Sequence, residues 1–112
     1  MTSKSPNTTG KGPRLKPRLP PVHPGGILKE TLEDLGLSMN RLAQEIHVPP
    51  NRISAIVLGH RSITGETALR LGRYFGTTPA YWMNMQARYD LETARDDWES
   101  RIQYEIRPRD AA

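Results

Sequence analysis

A short segment that follows two consecutive prolines, Pro49 and Pro50, carries side chains suited to recognising DNA bases. Proline breaks a helix interior but is tolerated in the first turn, so the sequence predicts a helix from about Pro50 to Leu58. The apolar stripe of this helix consists of Ile53, Ile56 and Val57. The residues expected on or beside its outer face are Asn51, Arg52, Ser54 and Ala55.

These outward residues match the chemistry of the major groove. Arginine can bind a guanine edge, asparagine an adenine edge and serine either base, while alanine can touch a thymine methyl group. Each residue taken alone could equally be part of a solvated polar surface, but their combination at this spacing favours DNA contact. We expect Asn40 and Arg61 to bind phosphates, which set register rather than sequence, and we include Pro50 in the DNA-contacting set.

Residue types needed for most enzyme and metal sites are missing or scattered. The chain has no cysteine, which excludes disulfides, thiolate nucleophiles and cysteine-bound zinc. Its three histidines, His23, His47 and His60, show no metal-ligand spacing. The polar residues with the best geometry lie on a helix face rather than in a pocket. We therefore expect no enzyme activity, no cofactor and no metal.

The predicted helix from Pro50 to Leu58, here called the reading helix, needs a second helix to hold it in position. Ser38 is a good N-cap for a helix over about Met39 to Ile46, and about three residues, His47 to Pro49, join it to the next helix. The small Ala43 lies where the partner helix approaches closely. This arrangement is typical of a helix-turn-helix, in which one helix braces and the next enters the major groove.

Three further helices complete an all-α prediction of five helices. The first runs from about Pro24 to Leu35 and is stopped by Gly36; the fourth, capped by Thr64, runs from about Gly65 to Phe75. The fifth begins at Thr78-Pro79 and reaches Ala94 or beyond. The predicted inner faces of the first, second and fourth helices are Leu28, Leu32 and Leu35; Met39, Leu42, Ala43 and Ile46; and Ala68, Leu71, Gly72 and Phe75.

Length and composition predict one small domain. The chain has 112 residues, of which 36 % are hydrophobic and 25 % charged. No apolar run approaches the ~20 residues that span a bilayer, and the first residues lack an apolar secretory signal, so we expect a cytoplasmic protein with no membrane partner. Residues 1–22 are rich in proline and carry five basic and no acidic side chains, which predicts a disordered basic arm.

The fifth helix has two apolar stripes, whereas packing on one small domain requires one. The first stripe consists of Tyr81, Trp82, Met85 and Tyr89. The second consists of Ala80 together with Met83, Ala87, Leu91 and Ala94, the four residues that we assign to a dimer interface. A two-fold dimer would place two reading helices about 34 Å apart on a palindrome. The alternative is that the chain termini bury both stripes within one monomer.

The end of the sequence leaves two questions open. We divide the chain into a domain over residues 23–97 and a C-terminal extension over 98–112. Alternation of Ile102, Tyr104 and Ile106 with polar residues predicts one short strand, which would need an edge from another chain; the alternative is an irregular tail. An acidic stretch is either a solvated helix end or a contact for a basic partner, and it comprises Asp90, Glu92, Asp96, Asp97 and Glu99.

Several strings at fixed intervals resemble known proteins. Leu42-Ala43, Ile53-Ser54, Ile56 and Gly59 resemble the Cro/C1-type helix-turn-helix, the fold of phage repressors. A longer series resembles HigA-type antitoxins of type II toxin–antitoxin modules from about His23 to Ala94. This series is His23-Pro24-Gly25, Leu58 to Thr64, Ala68 to Leu71, Phe75 to Pro79, and Trp82 with Gln86, Tyr89, Asp90 and Leu91.

The resemblance implies a dimeric antitoxin that neutralises a ribonuclease toxin from the same operon and represses that operon at a palindromic site. It places the base-reading positions on Asn51, Arg52, Ser54 and Ala55. A free-standing repressor with no toxin is the alternative. Two positions depart from the family pattern: His47 stands where glycine is usual and needs a left-handed backbone, and Pro49 replaces a hydroxyl cap.

Overall fold

The computed structural model describes residues 19–110, which form five α-helices and, within that range, no strand. The helices are α1 (Pro24–Leu35), α2 (Met39–Ile46), α3 (Pro50–Val57), α4 (Gly65–Phe75) and α5 (Pro79–Glu105). The predicted five-helix, all-α architecture is confirmed. The expected disordered arm lies outside the described residues except for residues 19–22, which enter α1 without regular structure. No described helix is long and apolar enough to cross a bilayer.

The helix ends follow the predicted capping chemistry. The hydroxyl of Ser38 accepts the backbone N–H of Arg41 at 3.0 Å and begins α2, and Thr64 caps α4 in the same way. Gly36 ends α1 with a φ of 64°, a left-handed conformation that glycine adopts without steric cost. These local signals fix where each helix starts and stops, and hence how short the connections are.

One contiguous core lies between the helices. Its buried members are Leu28, Leu32, Leu42, Ala43, Ile46, Val48, Ile53, Ile56, Ile63, Ala68, Leu71 and Trp82. Two predicted core residues are wrong, because Leu35 is 62 % and Met39 40 % exposed. Both stand at a helix end, where the apolar spacing continues but neighbouring helices no longer cover it.

Helix α5 contradicts the predicted strand, since residues 101–105 continue the helix. Pairs three and four residues apart support this helical continuation: the Arg101 guanidinium lies 5.3 Å from the Trp98 ring, and the Arg101 and Glu105 side chains are 2.8 Å apart. A lone strand would leave its backbone groups without partners. The helix ends before Arg107, whose position ahead of Pro108 disfavours helical backbone. It therefore passes through the predicted boundary between residues 97 and 98 without a break.

Trp82 anchors α5 to the domain. It is 1 % exposed, its indole N–H donates to the Thr77 hydroxyl at 2.9 Å, and its ring lies 6.1 Å from that of Phe75. A buried tryptophan contributes a large apolar area and requires a partner for its N–H, and both conditions are met here. The first half of α5 is thereby fixed against α4, while its opposite face stays open.

Candidate nucleic-acid interface

The turn between α2 and α3 sets the angle of the reading helix. His47 adopts the left-handed backbone with φ 61°, as the sequence predicts, and the N–H of Val48 donates to the Ala43 carbonyl at 3.0 Å. The Val48 side chain is buried, so it ties the turn to the core. Pro49 precedes α3 without a side-chain cap, also as predicted.

Helix α3 divides into an anchored face and an open end. Ile53 and Ile56 are fully buried, whereas Pro50 and Asn51 at the N-terminal end are exposed. Such an arrangement presents the first turn of a short helix to a partner, which is how a recognition helix enters the major groove.

Ser54 and Ala55, the two small residues predicted to contact bases, are less exposed than Asn51. Ser54 and Ala55 are partly buried, and the Ser54 hydroxyl donates to the Asn51 carbonyl at 3.2 Å. Ala55 lies one helical turn after Asn51, so the two share a face. Ser54 and Ala55 therefore flank the exposed first turn without projecting as far from the domain.

Arg52 points toward α4. Its side chain is 19 % exposed, and a guanidinium nitrogen lies 3.5 Å from the Glu66 carboxylate; its Nε is buried without a hydrogen-bond partner. Glu66 also accepts from Arg70 at 2.9 Å, and Arg70 donates to the Ile46 carbonyl at 2.9 Å. This Arg52–Glu66–Arg70 chain links the start of α3 to the end of α2. Hydrogen bonding by Arg70 and the charge of Arg52 lower the pKa of Glu66.

The two predicted phosphate contacts occupy exposed positions at opposite ends of the helix-turn-helix. Asn40 lies in the first turn of α2, and Arg61 lies in the loop after α3. Helix α5 holds the loop that carries Arg61, because the Gln86 side-chain oxygen accepts the N–H of Ile63 at 2.8 Å. From the sequence alone, Gln86 stands out only as part of the resemblance to HigA-type antitoxins. A polar residue at a core-facing position of α5 is the signal that would have identified it.

The reading helix also approaches α1 closely. A Cβ on Gly25 would clash with the carbonyl oxygen of Ile56, so only glycine fits where α1 crosses the end of α3. His23 caps α1, since its Nδ1 accepts the Gly25 N–H at 2.9 Å, and its ring lies 4.8 Å from that of Tyr89. These contacts hold the start of α1 against the end of α3 and against α5. From the sequence alone, Gly25 likewise appears only in the family resemblance, because the proximity of two backbones leaves no side-chain pattern.

The second stripe of α5 is open in the single chain. All four residues that we assign to a dimer interface are exposed, namely Met83, Ala87, Leu91 and Ala94. The same face continues through Trp98 and Ile102, which are 49 % and 46 % exposed. Burial of this stripe by other described residues is thus ruled out, and its role as an interface between two copies remains a prediction.

The fold and this surface together define a helix-turn-helix protein of the DNA-binding class. The helix-turn-helix family model matches residues 28–82, which include both helices of the motif. A virulence-associated protein I from Dichelobacter nodosus is 49 % identical over 79 % of this chain and 82 % of that protein.

Solved structures narrow the class to a family. An addiction module antidote protein of the HigA family from Coxiella burnetii is 46 % identical with a TM-score of 0.79, over 81 % of this chain and all of that one. The Pseudomonas aeruginosa antitoxin HigA, solved with the higBA promoter, is 40 % identical with a TM-score of 0.77, over 79 % of this chain and 97 % of that one. This chain belongs to the HigA family of helix-turn-helix antitoxins, which are DNA-binding proteins and not enzymes.

Proposed function

We propose that this chain binds a palindromic operator as a homodimer, represses its own operon and neutralises a ribonuclease toxin encoded beside it. The observation that carries the DNA-binding part is the open first turn of α3. There Pro50 and Asn51 are exposed, while Ile53 in the same helix is fully buried. A rigid helix with a free N-terminal turn suits the major groove.

Base reading is assigned to the exposed turn and its flanks. Asn51 offers the donor and acceptor pair that matches adenine, and Ala55 on the same face suits a thymine methyl group. Ser54 and Arg52 flank this pair, with Arg52 held on Glu66 at 3.5 Å in the free protein. Pro50 packs beside the bases, and Asn40 and Arg61 bind the phosphates on either side.

Two-fold symmetry follows from the open stripe of α5. This stripe faces away from the buried Trp82 and Gln86, so a second copy can pack on it without disturbing the core. A dimer built on Met83, Ala87, Leu91 and Ala94 holds two α3 helices in a fixed relation. Half-sites about one helical turn, ~34 Å, apart would then be read together.

A binding experiment with the DNA upstream of the chain's own gene tests the repressor part. We expect a gel shift at fixed salt with that duplex, and a footprint with two-fold symmetry. Asn51→Ala should weaken the shift while the circular dichroism spectrum stays that of the wild type. A shift of equal strength with an unrelated duplex would contradict sequence-specific recognition.

Co-purification tests the antitoxin part separately. The neighbouring gene product, carrying an affinity tag, should retain this chain and lose its ribonuclease activity in the complex. If operator binding is intact but no neighbouring protein is bound or inhibited, the chain is a free-standing repressor of the same fold. The two functions therefore fail independently.

A further inference from the structure

The last three turns of α5, residues 94–105, extend beyond the domain. Every residue in this range is exposed, so no other part of the described chain covers it. It nevertheless carries the apolar side chains of Trp98 and Ile102, which are about half exposed. Helices of about 12–15 residues or fewer are only marginally stable in water without packing. An apolar face on an uncovered helical segment therefore indicates a docking surface.

This face continues the stripe assigned to the dimer along most of α5. Its six apolar residues recur at intervals of three or four and lie on the side of the helix away from the buried Trp82 and Gln86. We call these residues the open face: Met83, Ala87, Leu91, Ala94, Trp98 and Ile102. At about 1.5 Å per residue, the open face is roughly 28 Å long.

The sizes of the side chains make the open face complementary to its own reverse. Ala87, second from the N-terminal end, corresponds to Trp98, second from the C-terminal end, and Leu91 corresponds to Ala94. Two antiparallel copies therefore place an alanine opposite each tryptophan and each leucine, which suits knobs-into-holes packing. Two parallel copies would instead set tryptophan against tryptophan and alanine against alanine, and the contact would have both clashes and gaps.

The surface of α5 has a recess where the antiparallel arrangement needs one. This groove has a volume of about 280 Å³, and most of its lining is apolar. It is lined by Leu91, Ala94, Arg95, Glu99, Ile102 and Gln103. In the antiparallel arrangement, Leu91 of the second copy lies over Ala94 and enters this groove.

The charges along one flank of the open face favour the same direction. Arg88, Glu92, Arg95 and Glu99 alternate in sign, and they pair within the chain at 3.1 Å and 3.9 Å. Read from the other end, this order has the opposite sign at every position, so antiparallel copies set arginine near glutamate throughout. Parallel copies would set each charge near its own kind, and such like-charge contacts are unfavourable across an interface.

We propose that two copies of this chain pair their α5 helices antiparallel along the open face. The last three turns of each helix then lie on the half of the other helix that its own domain anchors. Trp98 of each copy packs on Ala87 of the other, and the pairing is centred between residues 92 and 93. This inference rests on the proposed homodimer, to which it gives a direction and two further contact residues, Trp98 and Ile102.

Engineered disulfides test the direction of pairing, since the chain has no cysteine of its own. A disulfide needs two Cβ atoms about 3.5–4.5 Å apart. The Ala87→Cys/Trp98→Cys double variant should therefore form a covalent dimer with oxidised glutathione, seen on a non-reducing gel. Within one helix the two positions are about 16 Å apart, so they cannot join to each other. The single variants Ala87→Cys and Trp98→Cys are the controls and should not cross-link.

A second pair and an affinity measurement keep the test independent of any one substitution. Met83→Cys/Ile102→Cys retains Trp98 and should also give a covalent dimer. Trp98→Ala should raise the dimer dissociation constant about 10- to 100-fold in sedimentation equilibrium, as expected for a tryptophan at the centre of a contact. Tyr104→Ala, at a residue that is 92 % exposed and off the open face, should stay within about twofold of the wild type.

Three results would overturn the inference. Cross-linking of the single variants in place of the double ones would indicate a parallel pair and leave the homodimer itself standing. A stable dimer in which neither double variant cross-links would place the contact elsewhere. A wild-type chain that is monomeric in sedimentation equilibrium would overturn both this inference and the homodimer part of the proposed function, whereas the operator and toxin assays test the other parts.

Discussion

The side-chain oxygen of Gln86 accepts the backbone N–H of Ile63 at 2.8 Å, joining the long helix α5 to the loop that follows the reading helix. Gln86 is 4 % exposed, and its amide nitrogen donates to Asp90 at 2.9 Å. This hydrogen bond satisfies the buried backbone N–H of Ile63, which has no partner within a helix or strand. The position of Arg61, two residues before Ile63, therefore depends on α5.

Gln86→Leu should lower the free energy of unfolding by about 1–3 kcal/mol, because it leaves the buried Ile63 N–H without an acceptor. Urea unfolding measures this change. Gln103→Leu, the same substitution at an exposed position of α5, is the control and should stay within about 0.5 kcal/mol of the wild type. Equal unfolding midpoints for the two variants would show that the Gln86 bond adds nothing.

Adjacent glycines in α1 should respond in opposite directions. Gly25→Ala forces a methyl group against the Ile56 carbonyl and should destabilise the domain, whereas Gly26→Ala meets open space. The second change should stabilise the helix by roughly 0.5–1 kcal/mol, the usual gain over glycine in a helix. Thermal unfolding of both variants checks the pair, and a stable Gly25→Ala protein would refute the close approach of α1 to α3.

Asn51 and Arg52, although adjacent, should behave differently when replaced by alanine. Asn51→Ala should cost about 1–3 kcal/mol of operator binding at fixed salt with unchanged unfolding, as expected for an exposed base contact. Arg52→Ala should weaken binding and also lower the unfolding midpoint, since Glu66 loses an ion-pair partner. Glu66→Gln, which removes this pair together with the Glu66–Arg70 pair, should lose at least as much stability as Arg52→Ala. If it does not, the ion pair has no structural role.

Stability should fall below neutral pH because of His23. Burial lowers the pKa of His23 below its ordinary 6.5, against the opposing effects of the Asp90 charge and the Arg61 carbonyl. The folded protein thus favours the neutral ring, whose Nδ1 caps α1. This contribution is complete above pH 6.5 and is lost as the pH falls through the lower pKa of the folded state.

The measurement for His23 is the unfolding free energy between pH 5 and 8. His23→Asn keeps a side-chain acceptor at the N-cap but cannot titrate, so its pH dependence should be flatter than that of the wild type. His60→Gln removes an exposed histidine and should retain the wild-type dependence. Parallel curves for His23→Asn and the wild type would exclude His23 as the source.

Leu91→Lys should disturb the dimer more than the fold, because Leu91 is 54 % exposed in the single chain. Light scattering should report a smaller assembly while circular dichroism stays helical. Ser100→Lys adds the same charge on the opposite side of α5 and serves as the control. A dimer that survives Leu91→Lys but not Ser100→Lys would place the interface elsewhere.

Local signals predicted the fold well because they act through nearest neighbours. Ser38, Gly36 and the Pro49-Pro50 pair set the helix ends through capping and backbone restriction. The strand predicted from the alternation of Ile102 and Tyr104 is wrong, since a period of two predicts a strand only where the edge of another strand is available for pairing. Here ion pairs four residues apart favour a continuing helix instead.

Features of the site that join distant segments were not accessible from sequence. Arg52 was expected to face DNA, and its pairing with Glu66 depends on how α4 packs against α3. The hydrogen bond from Ile63 to Gln86 spans 23 residues and follows from tertiary packing alone. Residue type and spacing predict the DNA-contacting surface, whereas the hydrogen-bond network behind it follows only from the coordinates.

His47 carries a consequence for engineering. It is the one non-glycine residue with a positive φ among those described, at 61°, in a turn where glycine would relax without cost. His47→Gly at this exposed corner should therefore raise the melting temperature while leaving Asn51 untouched. This change should make the domain more heat-stable without altering the residues that we propose to read DNA.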